Sequence, residues 1–251
     1  SIFSKNKRYK NIRKLDLRNE EVSRNKMEEI NQFLMEAGLN DVVLMFFAGH
    51  GVLDKDYNYY LATYEMDIED MASTCIPFSF FEQLLDKMQC RNKLMFIDAC
   101  HSGELDKDAL IAYRDKKAKQ VDEKNTRAAG TGVSYNEILD YRGNSQSFVN
   151  TNSFDLSTLL FTDMRLSNGA NILSSASGLE YALESQAWGN GLFTYALIKG
   201  ISDFEADLNG DGRITIFELR VYLRGEVSSI SRGKQNPISR KENLKNNFII
   251  W

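Results

Sequence analysis

The chain has 251 residues, a formal net charge of −4, and 43% apolar and 26% charged residues. Those figures describe a soluble globular domain large enough for a real core, and they disfavour nucleic acid as a main partner. The longest purely apolar run, Val42–Ala48, is too short to span a bilayer, so no membrane partner is expected; three cysteines without close metal-ligand spacing predict reduced thiols and a cytoplasmic setting.

In chain order, the basic start (Lys5, Lys7, Arg8, Lys10, Arg13, Lys14) reads as a solvated charged face. VVLMFFAG (Val42–Gly49) is continuous and β-branched or aromatic, which predicts a strand buried on both faces of a parallel sheet. YNYYLAT (Tyr57–Thr63) predicts a short strand or hairpin arm. Pro77–Gln89 predicts a helix, with Pro at its start and Phe78, Phe81, Leu84, Leu85 and Met88 at helical spacing. KLMFIDA (Lys93–Ala99) is a second buried strand. Residues Glu104–Asn150 are polar and charged, the composition of an exposed connection with some helix near Ala109–Ala118. A third strand is expected at Asn171–Ser177, helices at Gly191–Ile201 and Ile216–Val227, and a terminal strand at Asn246–Trp251. Strands alternating with helices predict a single α/β domain over residues 1–251, in three layers, with a mainly parallel central sheet flanked by helices.

Open parallel sheets bind ligands at the carboxyl ends of their strands. Two reactive side chains sit there, His50 in Gly49-His50-Gly51 and Cys100 at the end of the second run. A thiolate is a nucleophile, and a nearby imidazole stabilises it and returns a proton to a leaving amine. The Gly51 and Cys100 N–H groups suit an oxyanion hole. Strand alternation puts Asp98 and Cys100 on one face and His101 on the other, so His50 is the histidine placed to serve Cys100. Cys75 and Cys90 lack such surroundings and are expected to pack.

FFAGHG (Phe46–Gly51) and FIDACHSG (Phe96–Gly103) resemble the two catalytic signatures of the caspase-like cysteine peptidases, the clan of caspases, metacaspases and paracaspases, and most of all its bacterial members. YYLAT, LSSASGLEYALES, GNGLFTYALIKGI and ADLNGDGRITIFEL follow in the family's order, so the likeness runs over residues 30–251. It implies a cysteine endopeptidase acting on protein substrates, with His50 and Cys100 as the dyad and Gly51 as oxyanion donor. Asp98 matches an aspartate that binds a basic side chain in metacaspases and paracaspases. Glu180 resembles an acid in the paracaspase substrate loop, where Ser175 and Ala176 also fall. Two carboxylates in one slot favour Arg, then Lys, before the cleaved bond.

Many relatives are cut in the connection after the cysteine, and Arg114, Lys116, Lys117, Lys119, Lys124, Arg127 and Arg142 make self-cleavage within 104–150 an expectation. Relatives also place a first βα unit before the region resembling Ile12–Leu34. Almost nothing precedes it here, so a fragment, a processed subunit, or a regulatory chain or domain supplying that unit is expected. A catalytically silent interaction module, or another thiol enzyme such as an acyltransferase or amidase on the same fold, are the alternatives.

DLNGDGRITIFE has the spacing of a calcium loop of the EF-hand type. Asp207, Asn209 and Asp211 occupy positions 1, 3 and 5, Gly212 the sharp turn, the Arg213 carbonyl position 7, and Glu218 position 12. Ca2+ is the cofactor this pattern predicts; capping of the following helix is the alternative use of the same residues.

Overall fold

Two long apolar segments meet edge to edge and organise everything else. The computed structural model describes residues 8–54, 58–102, 170–176, 182–185, 189–239 and 247–251, with backbone alone at 53, 100–102, 184, 185 and 190. Helix α1 (Met27–Met35) leads into β1 (Val42–Leu53), followed by β2 (Tyr59–Leu61), the short α2 (Met71–Thr74), β3 (Ile76–Pro77) and α3 (Phe78–Lys87). Next come β4 (Asn92–Ser102), β5 (Ala170–Ser174), β6 (Glu184–Ser185), β7 (Asn190–Gly191), α4 (Leu192–Ser202), α5 (Ile216–Ile230) and β8 (Ile238–Ser239). The 104–150 connection and its expected helix lie outside the described residues.

The main sheet has the order β3-β2-β1-β4-β5-β8. β1 and β4 run parallel in unbroken register from Val42↔Asn92 to Val52↔Ser102, and β5 joins β4 in parallel. The outer pairings, β1–β2, β2–β3 and β5–β8, are antiparallel. The sheet is therefore mixed rather than mainly parallel. The reason is the length and number of the connections: residues 54–58 are too few for a crossover, so β2 must reverse. Among the described residues, the helices α4 and α5 separate β5 from β8, which returns the chain in the opposite sense.

Alternation along the central strands splits the core into two layers. Met45, Met95, Ile97 and Ala99 face α1 and α3, where Leu34, Phe78, Phe81, Leu84 and Leu85 are buried. Leu94, Phe96 and Leu173 face α4 and α5, packing with Leu192, Phe193, Ala196, Leu219 and Leu223. Each of the largest of these contributes about 1.5–3 kcal/mol by leaving water. α3 stops at Lys87, two residues earlier than the sequence pattern extends, because the chain turns to extended backbone at Met88. Lys93, on β4, closes that helix end: its buried Nζ donates to the Leu85 carbonyl at 2.6 Å and to the Met88 carbonyl at 3.2 Å. Burial pushes its ammonium below the ordinary lysine range.

Of the expected terminal strand at Asn246–Trp251, the described residues 247–251 do not join the sheet. Ile249 forms an isolated bridge with Thr215, the Ile250 N–H donates to the Ile214 carbonyl at 2.8 Å, and the Ile214 N–H donates to the Trp251 carbonyl at 3.0 Å. An apolar β-like run specifies pairing but not the partner. Among the described residues, no strand pairs with the second edge of β1 from Val42 to Gly49; β2 meets only Gly51–Leu53, and the Ala62 N–H reaches the His50 carbonyl at 2.8 Å. Beside this edge Phe46 is 49% exposed, unusual for an aromatic in a central strand. Residues 11–18, the start of the region expected to follow the first βα unit, belong to no helix or strand.

Candidate active site

The register of β1 and β4 decides the first question about the site. His50 and Cys100 are direct Cα partners across the parallel ladder. Neighbouring strands lie about 4.8 Å apart, and partners in a parallel pair share a face. Stepping back by twos, that face carries Leu44 and Phe46 on β1 and Leu94, Phe96 and Asp98 on β4, the side covered by α4 and α5. His50 is half-buried near the carboxyl end of its strand. Gly51 is buried and keeps its place in the sheet, level with His101 on β4 and Leu61 on β2.

Asp98 is 7% exposed, and α4 determines how it is held. Its Oδ2 accepts the Thr194 N–H at 3.2 Å and the Thr194 hydroxyl. Thr194 is the third residue of α4, whose first N–H groups have no partner within the helix. A carboxylate from β4 thus caps the helix from another element, and the positive end of the helix favours its charge. Gly191 makes the approach possible: a Cβ there would lie 2.7 Å from Asp98 Oδ2. The GNG segment before α4 hints at such a close approach; nothing in the sequence identifies Thr194 as the partner.

Ser175 and Ala176 are fully buried. The Ser175 N–H extends the β5–β4 ladder to the Ile97 carbonyl at 2.8 Å, and its hydroxyl donates to the Ala99 carbonyl at 3.2 Å. Ser175 therefore braces the residue immediately before Cys100. Glu180 lies outside the described residues. A contact that sequence reading misses altogether is Gln235, between α5 and β8, whose amide reaches Ser175 and Leu183. Cys75 and Cys90 are buried free thiols, Cys90 in the layer with α1 and α3, and burial raises the pKa of both.

The 207–218 loop is wound by its own side chains. Asp207 Oδ1 accepts the N–H groups of Gly210 at 2.9 Å and Asp211 at 3.2 Å, while Oδ2 accepts that of Gly212 at 2.8 Å. Asn209 Oδ1 takes the Asp211 N–H, and Asp211 Oδ1 takes that of Arg213. Gly212 turns with φ +76°, a left-handed conformation that disfavours side chains. Glu218 forms a capping box with Thr215 through Oε2, whereas its buried Oε1 has no hydrogen-bond partner among the described residues. Among those residues, no three His, Cys, Asp or Glu side chains converge as a metal cage.

No helix among the described residues is long and apolar enough to cross a membrane. The family model described as Caspase domain matches residues 3–249. Among solved structures, the crystal structure of protein GSU0716 from Geobacter sulfurreducens is similar, with a TM-score of 0.48 and 18% identity over 89% of this chain and 74% of that one. No curated protein matches.

Proposed function

Because the chain belongs to the caspase family, a family of cysteine peptidases, we propose that it cleaves proteins with His50 and Cys100 as its dyad. The observation that supports this reading is that they are direct Cα partners across the parallel β1–β4 ladder. In the proposed reaction the Cys100 thiolate attacks the scissile carbonyl and forms a C–S bond. Collapse of the oxyanion breaks the C–N bond, and the His50 imidazolium gives its proton to the leaving amine. Water then hydrolyses the thioester and restores the thiol. Gly51, next to His50, is the proposed oxyanion donor together with the Cys100 N–H.

Asp98 supports selection of a basic side chain. It is an acid on the dyad's own face, two residues before Cys100, and Thr194 holds its carboxylate in place. A fixed carboxylate favours a guanidinium, whose planar fork can be met bidentately. Glu180 is the proposed second acid. With fluorogenic peptides, Arg before the cleaved bond is expected to react several-fold faster than Lys and about 100-fold faster than Asp. Turnover of the Asp peptide at or above the Arg rate rejects the basic pocket.

Calcium at 207–218 belongs to the same proposal. Asp207, Asn209, Asp211, the Arg213 carbonyl and Glu218 would hold the ion, which would stiffen the loop leading into α5. Two observations support the fit: the Glu218 Oε1 left without a partner among the described residues, and the backbone pairing of Ile214 with Ile250 and Trp251, which braces the loop from beside it. Calorimetry is expected to show binding at or below about millimolar calcium, lost in Glu218→Gln. Absence of heat at that concentration removes the metal from the reading.

A further inference from the structure

β5 stops pairing with β4 well before the proposed nucleophile. Their ladder ends at Ser174↔Ile97, three residues short of Cys100, whereas β1 accompanies β4 as far as Val52↔Ser102. Past that point Ser175 takes over on the β5 side. Its N–H donates to the Ile97 carbonyl at 2.8 Å, and its hydroxyl donates to the Ala99 carbonyl at 3.2 Å. Carbonyls two residues apart on a strand point the same way, so the hydroxyl stands in for the next N–H of the ladder.

The backbone that carries this hydroxyl is itself held. Ser175 is fully buried, its N–H is engaged by Ile97, and its carbonyl accepts the Gln235 side-chain amide at 2.8 Å. Gln235, equally buried, is fixed in turn by the bond from its own N–H to Ser231 Oγ at 3.0 Å. Ala99, on the acceptor side, is fully buried as well. Without the hydroxyl its carbonyl must stay unpaired inside the protein or turn toward another donor. Turning it moves Cys100, because the Ala99 carbonyl and the Cys100 N–H belong to one rigid peptide plane that ends at the Cys100 Cα. That Cα is the one matched to His50 across the β1–β4 ladder.

We propose that Ser175 is a positioning residue for the nucleophile: its hydroxyl holds the Ala99–Cys100 peptide so that Cys100 stays level with His50, and it takes no part in bond making. This rests on Cys100 being the nucleophile, but it does not depend on which side chain is preferred before the cut. The test uses the peptide that the wild type cleaves best.

In Ser175→Ala, kcat is expected to fall about tenfold while KM stays within about twofold, because the reacting atoms are misplaced and peptide binding is not. Ser174→Ala controls for lost stability: Ser174 is also buried, and its hydroxyl lies 3.5 Å from the Ala176 carbonyl, within its own segment. Its kcat is expected to remain within about twofold of wild type, and Ser175→Thr, which keeps the donor, within about threefold. A readout without turnover is available because Ala99-Cys100 is the single Ala-Cys step in the chain. Carbonyl-¹³C alanine combined with ¹⁵N cysteine therefore selects that one peptide. Its carbonyl signal is expected to move upfield in Ser175→Ala, as loss of a hydrogen bond requires, and to hold its place in Ser174→Ala. An unmoved signal, an unchanged kcat, a rise in KM alone, an equal fall of kcat in Ser174→Ala, or a Ser175→Thr enzyme as slow as Ser175→Ala overturns the proposal. Full turnover by Cys100→Ala rejects the nucleophile assignment instead, a result that none of the serine variants can produce.

Discussion

Cys100→Ala is expected to lower peptide turnover by on the order of 10⁴- to 10⁶-fold, and His50→Ala by a comparable amount. In the proposed reaction the Cys100 thiolate supplies the electron pair for the new bond; the other two cysteines, Cys75 and Cys90, are buried, with thiols pushed up by desolvation. His50 is the direct partner of Cys100 across the ladder. Two residues that act as one unit do not contribute additively, so the double variant should be scarcely slower than either single one. Wild-type enzyme is also expected to show fragments from cutting within 104–150, whereas Cys100→Ala should run as one band. Full turnover by Cys100→Ala removes the dyad from the reading and favours another nucleophile or a contaminating peptidase.

The second large effect is at Asp98, where two roles can be separated by comparing two substitutions. Asp98→Ala leaves the Thr194 N–H and hydroxyl without their acceptor at the start of α4. Loss of a buried, charge-assisted cap should cost about 2–4 kcal/mol, read as a melting temperature lower by roughly 5–15 °C. Asp98→Asn keeps an oxygen for Thr194 and should cost only about 1 kcal/mol. The charge is lost in both, so both should lose the preference for Arg over neutral side chains, by about 100-fold. If Asp98→Asn retains that preference, Asp98 is a helix cap alone, and the basic pocket must be built from other residues.

The central strands were legible as continuous apolar runs, Val42–Ala48 and Lys93–Ala99, but only β4 is buried on both faces as expected; in β1 Val43 and Met45 are buried while Phe46 and Ala48 are exposed. α3, α4 and α5 were legible from their spacing. Glycines and small residues beside His50 and Cys100 marked the candidates for the proposed dyad, although both strands run on past them, to Leu53 and Ser102. What stayed hidden is long-range pairing. Two-residue strands such as β3 and β8 carry no periodicity, and the same apolar pattern at Phe248–Trp251 serves equally for a sheet edge or for the loop it actually joins. Thr194 and Gln235 are ordinary polar residues in sequence. They acquire a role only when the fold brings Asp98, Ser175 and Leu183 to them.

The one-sided attachment of β1 bears directly on the chemistry. Among the described residues, the strand carrying His50 is seamed to the sheet over most of its length only through β4, with β2 fastening it just beyond the histidine. Side chains in a strand alternate with a period of two, so a slip of one position along that seam would set His50 level with Ala99 and turn its imidazole to the far side of the sheet. Alignment of the proposed acid–base group and nucleophile would thus be a matter of strand registry, and whatever steadies the flank from Val42 to Gly49 would steady that pairing.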